Sequence, residues 1–102
     1  MTYDFDELFL EVEAHPNKIA SFKKSYRDKT DENPPAGSVQ SQPNKWSVEA
    51  RVYFNASSET VDKLQNDGYE VSDVPRGYKD EYQYRINSQK LFWLLIDEGH
   101  RL

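Results

Sequence analysis

Hydrophobic and polar residues alternate most cleanly in the middle of the chain, over "WSVEARVYFN" (46–55). Successive side chains of a strand point to opposite faces, so this pattern predicts a half-buried strand. The apolar side would carry Trp46, Val48, Ala50, Val52 and Phe54. The opposite side would carry Glu49, Arg51 and Tyr53. A shorter stretch, "YQYRIN" (82–87), alternates in the same way and predicts a further strand.

Each of these stretches is followed by the same succession of residues. "YFNASSETVDKLQNDGYEV" and "YRINSQKLFWLLIDEGHRL" both contain a strand tail, a small capping residue, a helical segment, Gly and the start of a strand. Gly suits the left-handed residue that closes a helix, because it has no Cβ to clash. Two such units predict a β-α-β-β-α(-β) ferredoxin-like antiparallel sheet with its helices on one face. Only three residues follow Gly99, so the sequence leaves open whether a last strand forms there.

The N-terminal segment "YDFDELFLEVEA" admits two interpretations. Phe5, Leu8, Phe9 and Val12 fall at helical spacing, which favours a helix. The alternation over residues 8–12 fits a strand instead. We predict the helix, which His15-Pro16 would end because the residue before Pro avoids the helical region.

A second, basic helix is predicted next, followed by a loop. "NKIASFKKSYRD" places Ile19, Phe22 and Tyr26 on one face. Residues 30–45 are rich in Pro and small polar residues and predict a long exposed loop. The expected architecture is therefore an α+β single domain (1–102). It would consist of two N-terminal helices (1–29), the loop (30–45) and the β-α-β-β-α core (46–102).

Composition excludes several classes of chemistry. The 102 residues include no Cys, which rules out disulfides, thiolate metal sites and cysteine nucleophiles. The start of the chain is acidic rather than a secretory signal, and the longest apolar run, "LFWLLI", is too short for a membrane span. We therefore expect a soluble, cytoplasmic protein with no membrane partner.

Charge is distributed unevenly along the chain, whose net charge is −5. Residues 1–15 contain acidic side chains and no Lys or Arg, whereas residues 16–29 are mostly basic. We expect the two segments to complement each other, or the acidic one to face a basic partner surface.

Catalytic motifs are missing from the sequence. It has no nucleophile elbow, phosphate-binding loop, dinucleotide fingerprint or zinc-protease helix. His15 and His100 stand at element boundaries, and the carboxylates have no diagnostic metal spacing. These observations predict a non-enzymatic protein without a cofactor or metal.

The helix predicted over "SQKLFWLLIDEG" is apolar around more than one face. Phe92, Trp93 and Ile96 extend beyond the stripe that packing on a sheet requires, and Trp and Phe are typical interface anchors. The sequence therefore predicts a small acidic binding or regulatory module that acts through protein contacts, with a protein partner or as a homodimer.

The alternative hypothesis is a single-stranded nucleic-acid binder. Aromatic and arginine side chains on an open sheet face can stack bases and hold phosphates, although the net charge disfavours it. Its candidate contacts are Lys23, Lys24, Arg27, Arg51, Tyr53 and Arg85.

Overall fold

A computed structural model describes residues 3–102 and shows an α+β fold with three helices and a five-stranded mixed sheet. The strands are β1 (Glu7–Ala14), β2 (Val39–Ser41), β3 (Glu49–Asn55), β4 (Ser72–Asp73) and β5 (Tyr84–Asn87). The helices are α1 (Pro16–Thr30), α2 (Ser58–Asn66) and α3 (Gln89–Asp97). Along the chain the order is β-α-β-β-α-β-β-α.

The strands lie side by side in the order β2-β1-β3-β5-β4. β1 is antiparallel to β3 over all but its last residue, from Glu7 opposite Asn55 to Glu13 opposite Glu49. β5 is antiparallel to both β3 and β4. β2 is parallel to β1 and pairs only with Val12–Ala14.

The prediction of two N-terminal helices is wrong, because the first predicted helix is the strand β1. Leu10, Val12 and Ala14 are buried on one face, which is the alternation that the strand interpretation required. The segment forms a strand rather than a helix because β3 pairs with it from Glu7 to Glu13. The apolar residues of β3 continue the buried face of β1.

The ferredoxin-like prediction is also wrong. The N-terminal β1-α1-β2 unit places a parallel strand at one edge, inside the stretch predicted to be only loop. The strand expected to start after Gly68 is only Ser72–Asp73, and residues 100–102, which follow Gly99, form no strand. Trp46, expected on the apolar side, lies outside β3, is 86% exposed and stacks on His15.

The core lies between the helices and one face of the sheet. β1, β3 and β5 contribute alternate apolar residues, among them Val12, Val52 and Ile86. α1 and α3 pack against each other above this face, where Phe22 contacts Phe92 with ring centroids 5.9 Å apart.

The two repeated segments end their helices in the same way. Leu64 and Leu95 are fully buried and accept backbone hydrogen bonds from Tyr69 (3.1 Å) and His100 (3.0 Å). The glycine between, Gly68 or Gly99, has φ of +99° or +103°. The repeated sequence is thus a helix C-terminus, at which glycine adopts the positive φ that closes the helix.

Candidate binding edge

The predicted interface residues of α3 are mostly part of the core. Phe92 and Ile96 are buried within the chain. Trp93 is half-buried, with its ring 5.4 Å from that of Phe22 and the Lys29 ammonium 5.7 Å from its centroid. The additional apolar faces of α3 are thus covered largely by α1, which leaves only part of Trp93 accessible.

The predicted nucleic-acid contacts lie on two different sides of the molecule. α1, with Lys23, Lys24 and Arg27, packs on the apolar face of the sheet. Arg51 and the other strand candidates belong to the opposite face. The structure therefore does not bring the helix and the sheet candidates together.

On that opposite face, Arg51 is surrounded by carboxylates. It donates hydrogen bonds to Glu11 (3.1 Å), Glu13 (3.2 Å) and Glu49 (2.7 Å). Burial lowers the pKa of Arg51, but its hydrogen bonds to Glu13 and Glu11 and the nearby carboxylate charges together outweigh burial, so the net pKa is raised. The guanidinium is therefore neutralised within the chain rather than displayed to a phosphate.

Glu11 links the Arg51 cluster to the loop between β4 and β5. Its carboxylate is almost fully buried and also accepts hydrogen bonds from the hydroxyl groups of Tyr53 (3.2 Å) and Tyr78. Burial first, and then the Glu11 charge, raise the pKa of Tyr53. The hydrogen bond to Glu11 is the main cause that raises the pKa of Tyr78.

Residues 75–83 cover part of the polar face and hold Tyr53 under them. Asn55 fixes this connection, since its Oδ1 accepts from the Gln83 backbone N–H at 2.6 Å and its Nδ2 donates to the Glu81 carbonyl at 2.9 Å. The rings of Tyr78 and Tyr82 lie 6.0 and 6.3 Å from that of Tyr53. Tyr53 has no exposed surface and Arg85 is half-buried, so neither of these two predicted contacts is fully displayed on this face.

The two histidines stand at helix ends, His15 before α1 and His100 after α3. The Nδ1 atom of His15 accepts a hydrogen bond from the Asn17 backbone N–H at 3.1 Å and so begins α1. No hydrogen bond or ion pair within residues 3–102 joins His15 or His100 to a carboxylate. Among the same residues, no cluster of three or more His, Cys, Asp and Glu could hold a metal ion.

The feature that remains is the outer edge of β1. The Gln42 backbone N–H donates to the Ala14 carbonyl at 2.9 Å, so the peptide groups of Ala14 face β2. In a strand the peptide groups of every second residue point in the same direction, so the N–H and C=O groups of Leu8 and Leu10 point to the same side as those of Ala14. β2 begins only opposite Val12, and no hydrogen bond between described residues reaches the outer peptide groups of Leu8 and Leu10. We call Leu8–Leu10 the open edge.

A groove of about 370 Å³ lies beside Phe9 and Leu10 of the open edge, and we call it the edge groove. Its lining includes Phe9, Leu10, Ser38, Gln40, Lys79 and Leu102. Phe9 is 36% exposed, and the Lys79 ammonium lies 3.9 Å from the centroid of its ring. Lys79 has φ of +57°, a conformation uncommon for a residue with a side chain, and forms no ion pair with any described acid.

The sequence hypotheses did not include the open edge. Alternation over residues 8–12 was the available signal, but it carries information only once residues 7–14 are known to form a strand at the border of the sheet. Lys79 and Ser38 come from separate loops, and no periodic pattern relates them to Phe9.

Comparison with known proteins finds no matching family model, no matching curated protein and no matching solved structure. None of the helices in the described part of the chain is long and apolar enough to cross a membrane.

Proposed function

We propose that this protein is a small non-enzymatic binding module that adds an extended segment of a protein partner to its sheet as a strand. The observation that carries the proposal is the pair of outward-facing peptide units at Leu8 and Leu10, which lack a neighbouring strand. Unpaired N–H and C=O groups on a strand edge are a template for a further strand.

The side chains around the open edge suit an extended peptide. Leu10 and Leu102 lie on the helix side of the groove and offer apolar contact. Phe9 and Lys79 lie on the polar side and offer an aromatic surface and a cation. Alternate side chains of an added strand point to opposite faces, so one set would meet each of these surfaces.

Amide hydrogen exchange tests where a partner binds. In the free protein we expect the amides of Phe9 and Glu11, which face β3, to exchange more slowly than those of Leu8 and Leu10. Extended peptides selected from a random library on the immobilised protein should slow exchange at Leu8 and Leu10. Slower exchange elsewhere, with these two amides unchanged, would contradict strand addition.

A matched pair of variants tests the backbone contribution. Leu8→Pro removes the outward N–H without removing a hydrogen bond of the β1–β3 ladder, whereas Leu8→Ala shortens the side chain and keeps the N–H. We expect Leu8→Pro to weaken binding of the selected peptides by about tenfold or more, and Leu8→Ala to weaken it less. Circular dichroism must show both variants folded, and equal affinities for the two would refute a backbone-directed site.

A further inference from the structure

We propose that the open edge takes a second copy of this chain, through antiparallel pairing of the two β1 strands about a two-fold axis at Phe9. This inference rests on the proposed function and names the partner. A two-fold interface uses the same surface on both copies, so it requires that the edge complement itself.

The backbone selects one register. Leu8 and Leu10 carry the outward peptide groups, and in antiparallel strands two residues of a hydrogen-bonded pair exchange both bonds. Pairing Leu8 with Leu10 of the second copy, and Leu10 with Leu8, therefore satisfies both residues in both copies. A register centred on Leu10 would instead place Leu8 opposite Val12, whose outer side is already occupied by β2.

In this register the side chains match on both faces. Phe9 faces Phe9 of the second copy in the position without hydrogen bonds, where cross-strand side chains come closest. On the helix face each Leu8 meets a Leu10. The pairing would thus cover the exposed part of Phe9.

At each end of the open edge the register brings two carboxylates together, and Lys79 provides the opposite charge beside them. The register places Glu7 of the second copy opposite Glu11, whose carboxylate is occupied by Arg51 and two tyrosines. Glu7 is exposed and accepts one hydrogen bond, from Asn55. Lys79, the cation of the groove without an acidic partner, lies over Phe9 next to this position. Each dimer would therefore contain two contacts between Lys79 and Glu7 of the other copy.

The pairing is short, because β2 begins opposite Val12 and limits it to residues 7–11. Interfaces of this extent fall below the size of stable dimers, so the association should be weak and dependent on concentration. Sedimentation velocity from about 10 µM to 1 mM covers the range of such transient contacts. We expect the average mass to rise with concentration, together with slower exchange of the Leu8 and Leu10 amides.

Charge exchange provides the decisive variants. Lys79→Glu and Glu7→Lys should each weaken self-association by about tenfold, since each turns two attractions into repulsions. The double variant has the net charge of the original chain and should recover it. An equal mixture of the two single variants should associate more strongly than either alone, because every cross-contact is again between opposite charges.

Three results would overturn the second copy as partner: one mass at all concentrations, no recovery in the double variant, or stronger association of Lys79→Ala than of the original chain. The last would mean that Lys79 protects the edge from pairing. Strand addition itself would still stand if selected peptides slow exchange at Leu8 and Leu10 while the protein stays monomeric. It would fail together with the dimer if neither peptides nor a second copy slow that exchange.

Discussion

Arg51→Met should destabilise the fold strongly, although it removes a side chain from the polar face of the sheet. Arg51 is 13% exposed and contacts three carboxylates, of which Glu11 is 4% exposed. Without the guanidinium, Glu11 and Glu13 would remain close together and largely shielded from water. Removing one partner of a buried ion pair leaves such a charge uncompensated, which is the main cause of the loss.

The structure sets the magnitude of this loss. Breaking a fully buried pair costs about 3–5 kcal/mol, whereas an exposed pair contributes about 0–1 kcal/mol. Glu49 lies at the solvent border of the cluster, so we expect the lower end, about 3 kcal/mol. Lys24→Met is the matched control, because Lys24 pairs with Asp28 where both side chains are mostly exposed (71% and 61%). It should cost less than about 0.5 kcal/mol.

Urea denaturation measures both variants. With a slope of about 1.5–2 kcal/mol per M, Arg51→Met should lower the midpoint by about 1.5–2 M, and Lys24→Met by less than about 0.3 M. Adding Glu11→Gln to Arg51→Met should restore part of the stability, which gives the coupling between the two residues. Equal, small losses for Arg51→Met and Lys24→Met would refute the reasoning. They would mean that Arg51 is a solvated cation, which would favour the nucleic-acid alternative.

Three other regions of the structure carry predictions. Burial raises the pKa of the Tyr53 hydroxyl above that in the unfolded chain. The folded protein therefore keeps the full stabilisation from this group below pH 10, and loses it above pH 10, where the unfolded chain releases the proton first. Stability should then fall by about 1.4 kcal/mol per pH unit from this group, and Tyr53→Phe should fall less steeply in alkaline urea titrations. Gly68→Ala and Gly99→Ala should each lower the free energy of thermal unfolding by about 1 kcal/mol, because a side chain strains a backbone with positive φ. Steric clashes should add nothing, since no atom lies within 4 Å of an added Cβ. Asn55→Ala should speed amide exchange at Gln83 while the amides of β3 that face β5 stay protected, since it releases the connection over the sheet.

The sequence predicts local structure best where propensity and burial agree. β3 alternates on a face that is buried, and Ser57 and Ser88 begin helices whose N–H groups their hydroxyls accept. β1 shows the reverse case: its apolar residues satisfy two periods, and only the pairing with β3 decides between them. Pairing partners distant in sequence are absent from any local window, which is why the strand order was predicted wrongly.

The polar face was misjudged for a related reason. Arg51 and Tyr53 alternate outward in the sequence, which indicates exposure only if nothing covers that face of the sheet. The connection between β4 and β5 does cover it, because Tyr78 reaches across to Glu11 and closes over Tyr53. A side chain on the outer face of a strand is therefore available to bind a partner only when the neighbouring loops do not cover that face.

The two borders of the sheet give the strongest physical argument for where this protein binds. β4 closes one border with two exposed residues, one of them Asp73, and short charged edges of this kind discourage pairing. At the other border, β2 protects Val12–Ala14 and leaves Leu8–Leu10, which contains no charge and no proline. This uncharged stretch, beside the exposed aromatic ring of Phe9, has the features of an edge that pairs. Leu8→Lys, which places a charge in that stretch, should abolish association while the urea midpoint changes by less than that of Arg51→Met.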